Sequence, residues 1–247
     1  MKGSRIKSVE EMWEKICFDS IKSLRPSIKF TYIRDDGFEV ESDMTNWLSC
    51  EVSPEEKNVL NEAEGVVVDL ACGFGKHLLY ISSVNNKIER LIGIEISKRI
   101  VDYNQRHNLE MICGDMCVFV ETTLDNFDTV LIMGNSIAEC GTLEKIKGLL
   151  KGIIEKLNFE GKVIISYKDF SLTDNQNHKE YHKNNYHNNM YCGITRLKLK
   201  YKDEYSKIKE YCYIDRTTLY KILNENRLTF IYEGFENGWN YTIWQKL

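Results

Sequence analysis

Apolar positions recur along this chain in two rhythms, and the place where one replaces the other divides it. Residues 7 to 24 carry Val9, Met12, Trp13, Ile16, Ile21 and Leu24 at helical spacing, with acids early and bases late, as the helix dipole favours. Tyr32 to Val40 predicts a short hairpin turning at Asp36-Gly37. Ser53-Pro54-Glu55-Glu56 predicts a helix start, with serine as cap, proline in the first turn and Glu56 closing a capping box.

From residue 65 onward, apolar strands alternate with helices. Strands are expected at Gly65–Leu70, Leu91–Glu95, Leu109–Cys113, Phe127–Met133 and Lys162–Tyr167. Helices are expected from the turn after Leu70 through Ser82, from Ser97 to Arg106 and from Thr142 to Leu157, the last one ended by Gly161. Near-continuous apolar strands alternating with helices imply a parallel sheet covered on both faces, an α/β doubly wound fold. The tail departs from this pattern. Residues 171 to 191 are polar and asparagine-rich and read as a long loop, and Cys192–Lys202 with Ser206–Ile214 reads as an antiparallel hairpin around Asp203-Glu204. Asp215 caps a helix carrying Leu219, Ile222 and Leu223, and Leu228–Tyr232 and Asn240–Trp244 form two last strands. The expected architecture is a mostly parallel seven-stranded sheet. Residues 1–60 form an N-terminal helical and hairpin lid, 61–170 a ligand-binding core, 171–214 a loop and hairpin inserted after the fifth strand, and 215–247 the last part of the core sheet.

Composition narrows the function classes. The 247 residues carry 33 Lys+Arg against 37 Asp+Glu, a net charge of −4, which argues against coating nucleic acid. No apolar run is long enough for a membrane-spanning helix, and Met1-Lys2-Gly3-Ser4 leads into an amphipathic segment without a signal-peptide core, so a cytoplasmic location is expected. The eight cysteines contain no CxxC pair, and no His or further Cys near Cys113 and Cys117 completes a zinc set; reduced thiols and no metal are expected.

The candidate chemistry begins at Val68-Asp69-Leu70-Ala71-Cys72-Gly73-Phe74-Gly75-Lys76-His77, a strand running into Gly-x-Gly at the mouth of a helix. There, backbone amides approach a ligand without an obstructing Cβ. Glu95 ends the second strand about 20 residues later, placed to accept from two ribose hydroxyls. A dinucleotide fingerprint would require a third glycine where Leu78 stands and another where Ala71 or Cys72 stands. An acid at Asp69 suits a cofactor with cationic groups better than a pyrophosphate. His77 is expected in the cofactor wall. The His178/His182 pair is i, i+4, but in an asparagine-rich loop it reads as solvated. Arg196, Lys198, Lys200 and Lys202 share one strand face.

Val67–Gly75, Ile92–Ser97, Ile112–Met116 and Phe127–Met133, in that order and spacing, resemble the signature strands of class I S-adenosylmethionine-dependent methyltransferases over roughly residues 60 to 170. The resemblance implies a Rossmann-like methyltransferase fold with S-adenosylmethionine as cofactor and S-adenosylhomocysteine as product. It implies that Asp69, Ala71, Gly73 and Gly75 hold the methionine end and Glu95 the ribose. Ile96 packs on adenine, Asp115 accepts from its amino group with Met116 beside it, and Met133 and Gly134 complete the pocket. Phe74 departs from the smaller residue usual in relatives.

Gly134-Asn135-Ser136 further resembles the Gly-Asn-Ser segment of glycine/sarcosine N-methyltransferases and of enzymes that methylate amino sugars. This implies acceptor contacts from Asn135 and Ser136, with Lys168 past the fifth strand available to an acceptor carboxylate. An ordinary cap before the Thr142 helix would use the same two residues. Glu139 and Tyr32 are the candidate bases, and Tyr32 and Arg34 are placed to close over the site. The expected function is methyl transfer to a small-molecule acceptor, an amine, by in-line displacement. The alternatives are a methyltransferase using the basic strand on RNA or protein, and a non-catalytic S-adenosylmethionine-binding module. The hairpin surface also offers a contact for a second copy of the chain.

Overall fold

The computed structural model describes residues 6–23, 28–84 and 86–247. In the core, β3 (Gly65–Leu70), α4 (Lys76–Val84), β4 (Ile88–Glu95), α5 (Lys98–Gln105), β5 (Glu110–Cys113), α6 (Met116–Thr122), β6 (Phe127–Ile132), α7 (Leu143–Lys156) and β7 (Leu157–Tyr167) alternate. After α9 (Arg216–Glu225), β11 (Leu228–Glu236) and β12 (Trp239–Lys246) complete a seven-stranded sheet of order β11-β12-β7-β6-β3-β4-β5. The pairs among β3 to β7 are parallel, and β12 is antiparallel to both of its neighbours. The order reverses between β3 and β6, which puts a crevice at the carboxyl ends of the strands.

Alternate residues of each central strand enter different cores, which is why the strands read as unbroken apolar runs. Val68, Leu70, Val130, Ile132, Val163 and Ile165 pack with α6, α7 and α9. Val67, Leu131 and Ile164 pack on the other face, with Ile81 of α4 and with Val59 and Leu60 of α3 (Pro54–Leu60). The doubly wound architecture expected from the pattern is therefore present.

The N-terminal helix α1 (Val9–Ser23) and the hairpin of β1 (Lys29–Arg34) and β2 (Glu39–Asp43) form as expected, with the one-turn helix α2 (Thr45–Leu48) after them. Leu24, the last residue of the expected helix, lies outside the described residues. The two hairpins are not separate appendages. β8 (Ile194–Tyr201) pairs with β10 (Lys209–Cys212) and β9 (Glu204–Tyr205) along one edge and with β1 along the other, so both hairpins merge into a second sheet of order β10-β8-β1-β2. Side chains of its inner face, including Tyr32, Leu199 and Tyr211, pack with α1.

Three expectations are corrected. The polar segment 171–191 is not a long loop: after a single 3-10 turn at Phe170–Leu172 it forms α8 (Gln176–His187). Asn175 Oδ1 caps this helix by accepting from Asn177 N at 2.9 Å. Its buried stripe is Tyr181 and Asn185, and their polar atoms reach Asp35 Oδ1 at 2.8 Å and the carbonyls of Cys192 and Ile194 at 3.0 and 2.6 Å. A helix anchored by polar side chains shows no hydrophobic period. Secondly, α6 was not foreseen; at 7 residues it is short and is started by the Asp115 cap. Thirdly, Gly161 does not end α7. That helix stops at Lys156, and β7 begins at Leu157 with an irregularity at Glu160 (φ 62°) before regular pairing resumes at Lys162. No helix among the described residues is long and apolar enough to cross a membrane.

Candidate active site

A cavity of about 2020 Å³ opens at the carboxyl ends of the five parallel strands, roofed by the second sheet and flanked by α1. Its volume exceeds the roughly 300–1,000 Å³ usual for one small ligand, so two molecules have room. The turn after β3 takes left-handed backbone at Ala71 (φ 56°), Gly73 (φ 54°) and Gly75 (φ 72°). A Cβ on Gly75 would lie 2.5 Å from Leu109 Cδ1, the movable tip of a side chain, so it is the left-handed backbone that favours glycine here. Around Gly73, Gly114 and Gly134, which all line the cavity, a Cβ would meet nothing within 4 Å. These three follow β3, β5 and β6 and form a cradle with backbone exposed to a ligand. Asn104, buried in α5 and not singled out from the sequence, donates to Gly73 O at 2.8 Å and steadies the turn.

Glu95 closes β4 against this cradle. Its Oε1 accepts from Ser97 N at 2.8 Å and its Oε2 from Gly73 N at 3.2 Å. Burial raises its pKa, these two N–H groups counter that, and the net direction is upward. α1 reaches over this corner: Ser97 Oγ donates to Glu14 Oε2 at 2.6 Å and Arg99 Nη1 to Glu14 Oε1 at 2.9 Å.

Asp69 is buried and is not in the cavity wall. Its Oδ2, which has no hydrogen-bond partner, lies 3.5 Å from His77 Nδ1, while His77 Nε2 lies 3.5 Å from Glu56 Oε1. His77 lines the cavity, so Asp69 reaches the ligand space through it. Burial disfavours the His77 cation, but the flanking carboxylates prevail and raise its pKa. Lys76 Nζ donates to both oxygens of Glu56 at 3.0 Å. Glu56 and Lys76 are contributions that the sequence reading did not single out; Glu56 entered it only as the end of a capping box.

Ile96 is 51% exposed and lines the cavity beside Asp115 and Met116. Asp115 Oδ1 is already engaged as the cap of α6, accepting from Cys117 N at 2.8 Å and Val118 N at 3.1 Å. A ligand amino group would therefore use Oδ2. The thiols of Cys117 and Cys140 are 3.9 Å apart in the same wall. Met133, buried, and Gly134 end β6 at the cavity, with Gly134 N donating to Ser166 Oγ at 2.7 Å.

Beyond the cradle, Asn135 (φ 64°) uses Oδ1 to accept from Lys168 N at 3.0 Å, tying the loop after β6 to the end of β7. Ser136 Oγ is buried without a partner. These residues do not cap α7. Thr142 does, and Asn135-Ser136 open a separate 3-10 turn, Ser136–Cys140. Lys168 lies over the Trp239 ring at 4.7 Å. Arg34 is 5% exposed and held by Asp36 at 2.8 and 2.7 Å, with Tyr181 beneath its guanidinium at 4.1 Å, so it ties the hairpin turn to α8. Glu139 is paired with Lys209 Nζ at 2.6 Å, which also binds Glu10 Oε1 at 2.6 Å. Tyr32, Tyr211 and Tyr213 line the same chamber, and no hydrogen bond engages their hydroxyls among the described residues. Burial, together with Glu139, pushes all three phenols up, Tyr213 to about 12. Lys209, Tyr211 and Tyr213 sit at alternate positions of one segment, a strand signal present in the sequence but without a hint of what it faced.

Two of the four cations of the basic strand are ion-paired, while Lys198 and Lys200 lie over the Tyr205 ring at 5.3 and 5.7 Å. Arg196 pairs with Glu210 at 2.8 Å and lies 3.8 Å from Asp35, and Lys202 pairs with Asp19 at 3.0 Å. Among the described residues no cluster of three or more His, Cys, Asp or Glu has the arrangement of a metal site.

No protein-family profile matches the chain, and no curated protein matches it. Solved structures do resemble it. A SAM-dependent methyltransferase from Bacteroides fragilis, crystallised with S-adenosyl-L-homocysteine, superposes with a TM-score of 0.75 at 18% identity, covering 98% of each chain. A SAM-dependent methyltransferase from Methanosarcina mazei gives 0.63 at 13% identity, over 80% of this chain and 99% of that one. CalS10, an amino pentose methyltransferase from Micromonospora echinaspora with SAM bound, gives 0.51 at 13% identity, over 77% and 86%. The chain thus has the Rossmann-like fold of these methyltransferases.

Proposed function

We propose that the protein is an enzyme that transfers a methyl group from S-adenosylmethionine to a small-molecule amine and releases S-adenosylhomocysteine. The observation that carries this reading is the cradle of Gly73, Gly114 and Gly134, whose absent side chains leave open space beside the Glu95 carboxylate. The turn at Ala71, Gly73 and Gly75 would hold the methionine end, with His77 facing it and Asp69 behind His77. Glu95 would accept from the ribose hydroxyls. Ile96 and Met116 would flank the adenine, and Asp115 Oδ2 would accept from its amino group. Met133 and Gly134 would close the pocket toward the acceptor. The cofactor supplies an electrophilic methyl carbon on a sulfonium.

The chain's own contribution is then mainly orientation, which for aligned reactants is worth up to about 7–11 kcal/mol. Asn135, Ser136 and Lys168 stand on the acceptor side, and Ser136 Oγ has no partner yet. Arg34 contributes by holding the hairpin closed. Of the two candidate bases, Tyr32 keeps its proton, because its pKa is raised, and Glu139 is ion-paired with Lys209. An amino-sugar-sized acceptor, as the name of CalS10 indicates for that enzyme, is accommodated by the cavity volume. The pairing of Arg196 and Lys202 with acids disfavours a phosphate-backbone acceptor.

The test supplies methyl-labelled S-adenosylmethionine with cell extract separated into small-molecule, RNA and protein pools. Enzyme-dependent label is expected in the small-molecule pool. Label in RNA or protein refutes the acceptor class, and binding without label in any pool refutes the enzyme.

A further inference from the structure

Three imidazoles line the cavity, His77, His178 and His182, and the surroundings push His77 in one direction and the other two in the opposite one. His77 stands on the cofactor side with a carboxylate oxygen 3.5 Å from each ring nitrogen. Those carboxylates raise its pKa against the effect of burial and so favour the cation. His182, on α8, is the opposite case. Its Nδ1 lies 2.7 Å from Cys192 O. A carbonyl only accepts, so Nδ1 carries the proton and Nε2 of the neutral ring carries the lone pair. No hydrogen bond engages that Nε2 among the described residues. The Phe170 ring at 4.8 Å holds the plane of the imidazole.

The charged and titratable groups around His182 are Arg34 of β1 and His178 and Tyr181 of α8 itself. Burial lowers the His182 pKa, the bond to Cys192 O opposes this, and His178 and Arg34 add to the lowering, which prevails. His178, with Nδ1 3.3 Å from Thr173 Oγ1, is lowered as well, by burial and Arg34 against Asp36.

We propose that His182 is the base that removes the proton from the methyl acceptor, an inference that rests on the methyl-transfer reading above. α8 follows β7 through Lys168–Phe170, the segment joined to Asn135, so His182 belongs to the acceptor side. In the step, the nitrogen lone pair of the amine bonds to the methyl carbon. The carbon–sulfur bond breaks with its electron pair remaining on sulfur, which leaves a neutral thioether. The N–H proton passes to His182 Nε2, giving an imidazolium that returns it to water.

The test compares the wild type with His182→Asn, whose side-chain amide keeps a donor for Cys192 O but lacks the Nε2 lone pair. Label transfer from methyl-labelled S-adenosylmethionine into the small-molecule pool is followed from pH 5.5 to 9, with S-adenosylhomocysteine affinity and melting temperature as controls. In the wild type the rate falls as pH drops through a value below 6.5, because His182 becomes protonated. The variant is expected to lose at least about 100-fold in rate and to lose that acid limb, with unchanged affinity. A variant within about threefold of the wild type, or a slower one that keeps the acid limb, overturns the assignment. Should the variant not fold, nitrogen NMR of wild-type His182 decides: a protonated Nδ1 with a bare Nε2 at pH 7.5 supports it, and the reverse tautomer or an imidazolium overturns it. A wild type that binds S-adenosylhomocysteine yet transfers no label in any pool refutes the methyl-transfer reading itself, an outcome distinct from a transferring wild type whose variant is unaffected.

Discussion

Glu56→Gln tests how the cofactor turn is held in place. Glu56 closes the capping box of α3, receives both Lys76 bonds and faces His77. Burial raises its pKa, but His77 at 3.5 Å and the hydrogen bonds from Ser53 N and Lys76 outweigh burial and bring it from 4.5 to about 2. At about 1.4 kcal/mol per unit, the ionised carboxylate then stabilises the fold by about 3 kcal/mol more than the neutral acid does. The side chain is 12% exposed, so solvent screening takes little from this figure. Glutamine imitates the neutral acid, and the variant should lose about 3 kcal/mol at pH 7, a shift of roughly 1 M in the urea midpoint. The sign of the pH dependence follows from the depressed pKa. The contribution is complete above about 4.5 and is lost as pH falls through about 2, so the difference should shrink to about 1.5 kcal/mol at pH 3. Urea unfolding of both proteins at the two pH values measures this. A difference below about 1 kcal/mol at pH 7, or one that does not change with pH, would refute the reasoning. The His77 pKa should also fall in the variant, since one of its two carboxylates is gone.

Three further outcomes are expected. Glu95→Ala should weaken S-adenosylhomocysteine binding roughly 10- to 100-fold, the worth of a hydrogen bond to a charged group, while the domain stays folded; unchanged affinity in calorimetry counts against the site. Gly114→Leu should project into open cavity and leave stability within about 1 kcal/mol of the wild type, yet abolish most cofactor affinity; retained affinity would remove Gly114 from the cradle. Gly193→Ala places a Cβ 1.8 Å from Tyr213 O and 2.8 Å from Phe170 Cδ1, forcing the backbone segments apart. It should destabilise by about 3 kcal/mol or more, and a melting temperature equal to the wild type would contradict that geometry.

The core was legible because its evidence is local. The strand at Gly65–Leu70 falls where the apolar run placed it, and the caps expected at Ser53 and Asp215 form. α8 was not legible, because its buried residues are a tyrosine and an asparagine that hydrogen-bond to other segments. The missed helix is also why the i, i+4 pair His178/His182 reads as solvated in the sequence, whereas both residues lie on α8 and line the cavity. Asp69 is placed at the ligand by resemblance alone; in the fold it lies behind His77 and outside the cavity wall.

The sequence by itself determined a doubly wound seven-stranded sheet with a glycine turn after its first parallel strand. Unbroken apolar strands have to be covered on both faces, and a Gly-x-Gly turn leaves backbone open at their ends. Only the tertiary structure decided that the two hairpins share one sheet, with Thr31 opposite Lys200, and so roof the cavity. It alone decided which side chains remain chemically free. Glu139 meets Lys209 across 70 residues and is occupied, whereas His182 gives one nitrogen to Cys192 and keeps the other. Strand edges and charges choose partners by distance in space, and residues far apart in the chain carry no local pattern that announces such a meeting.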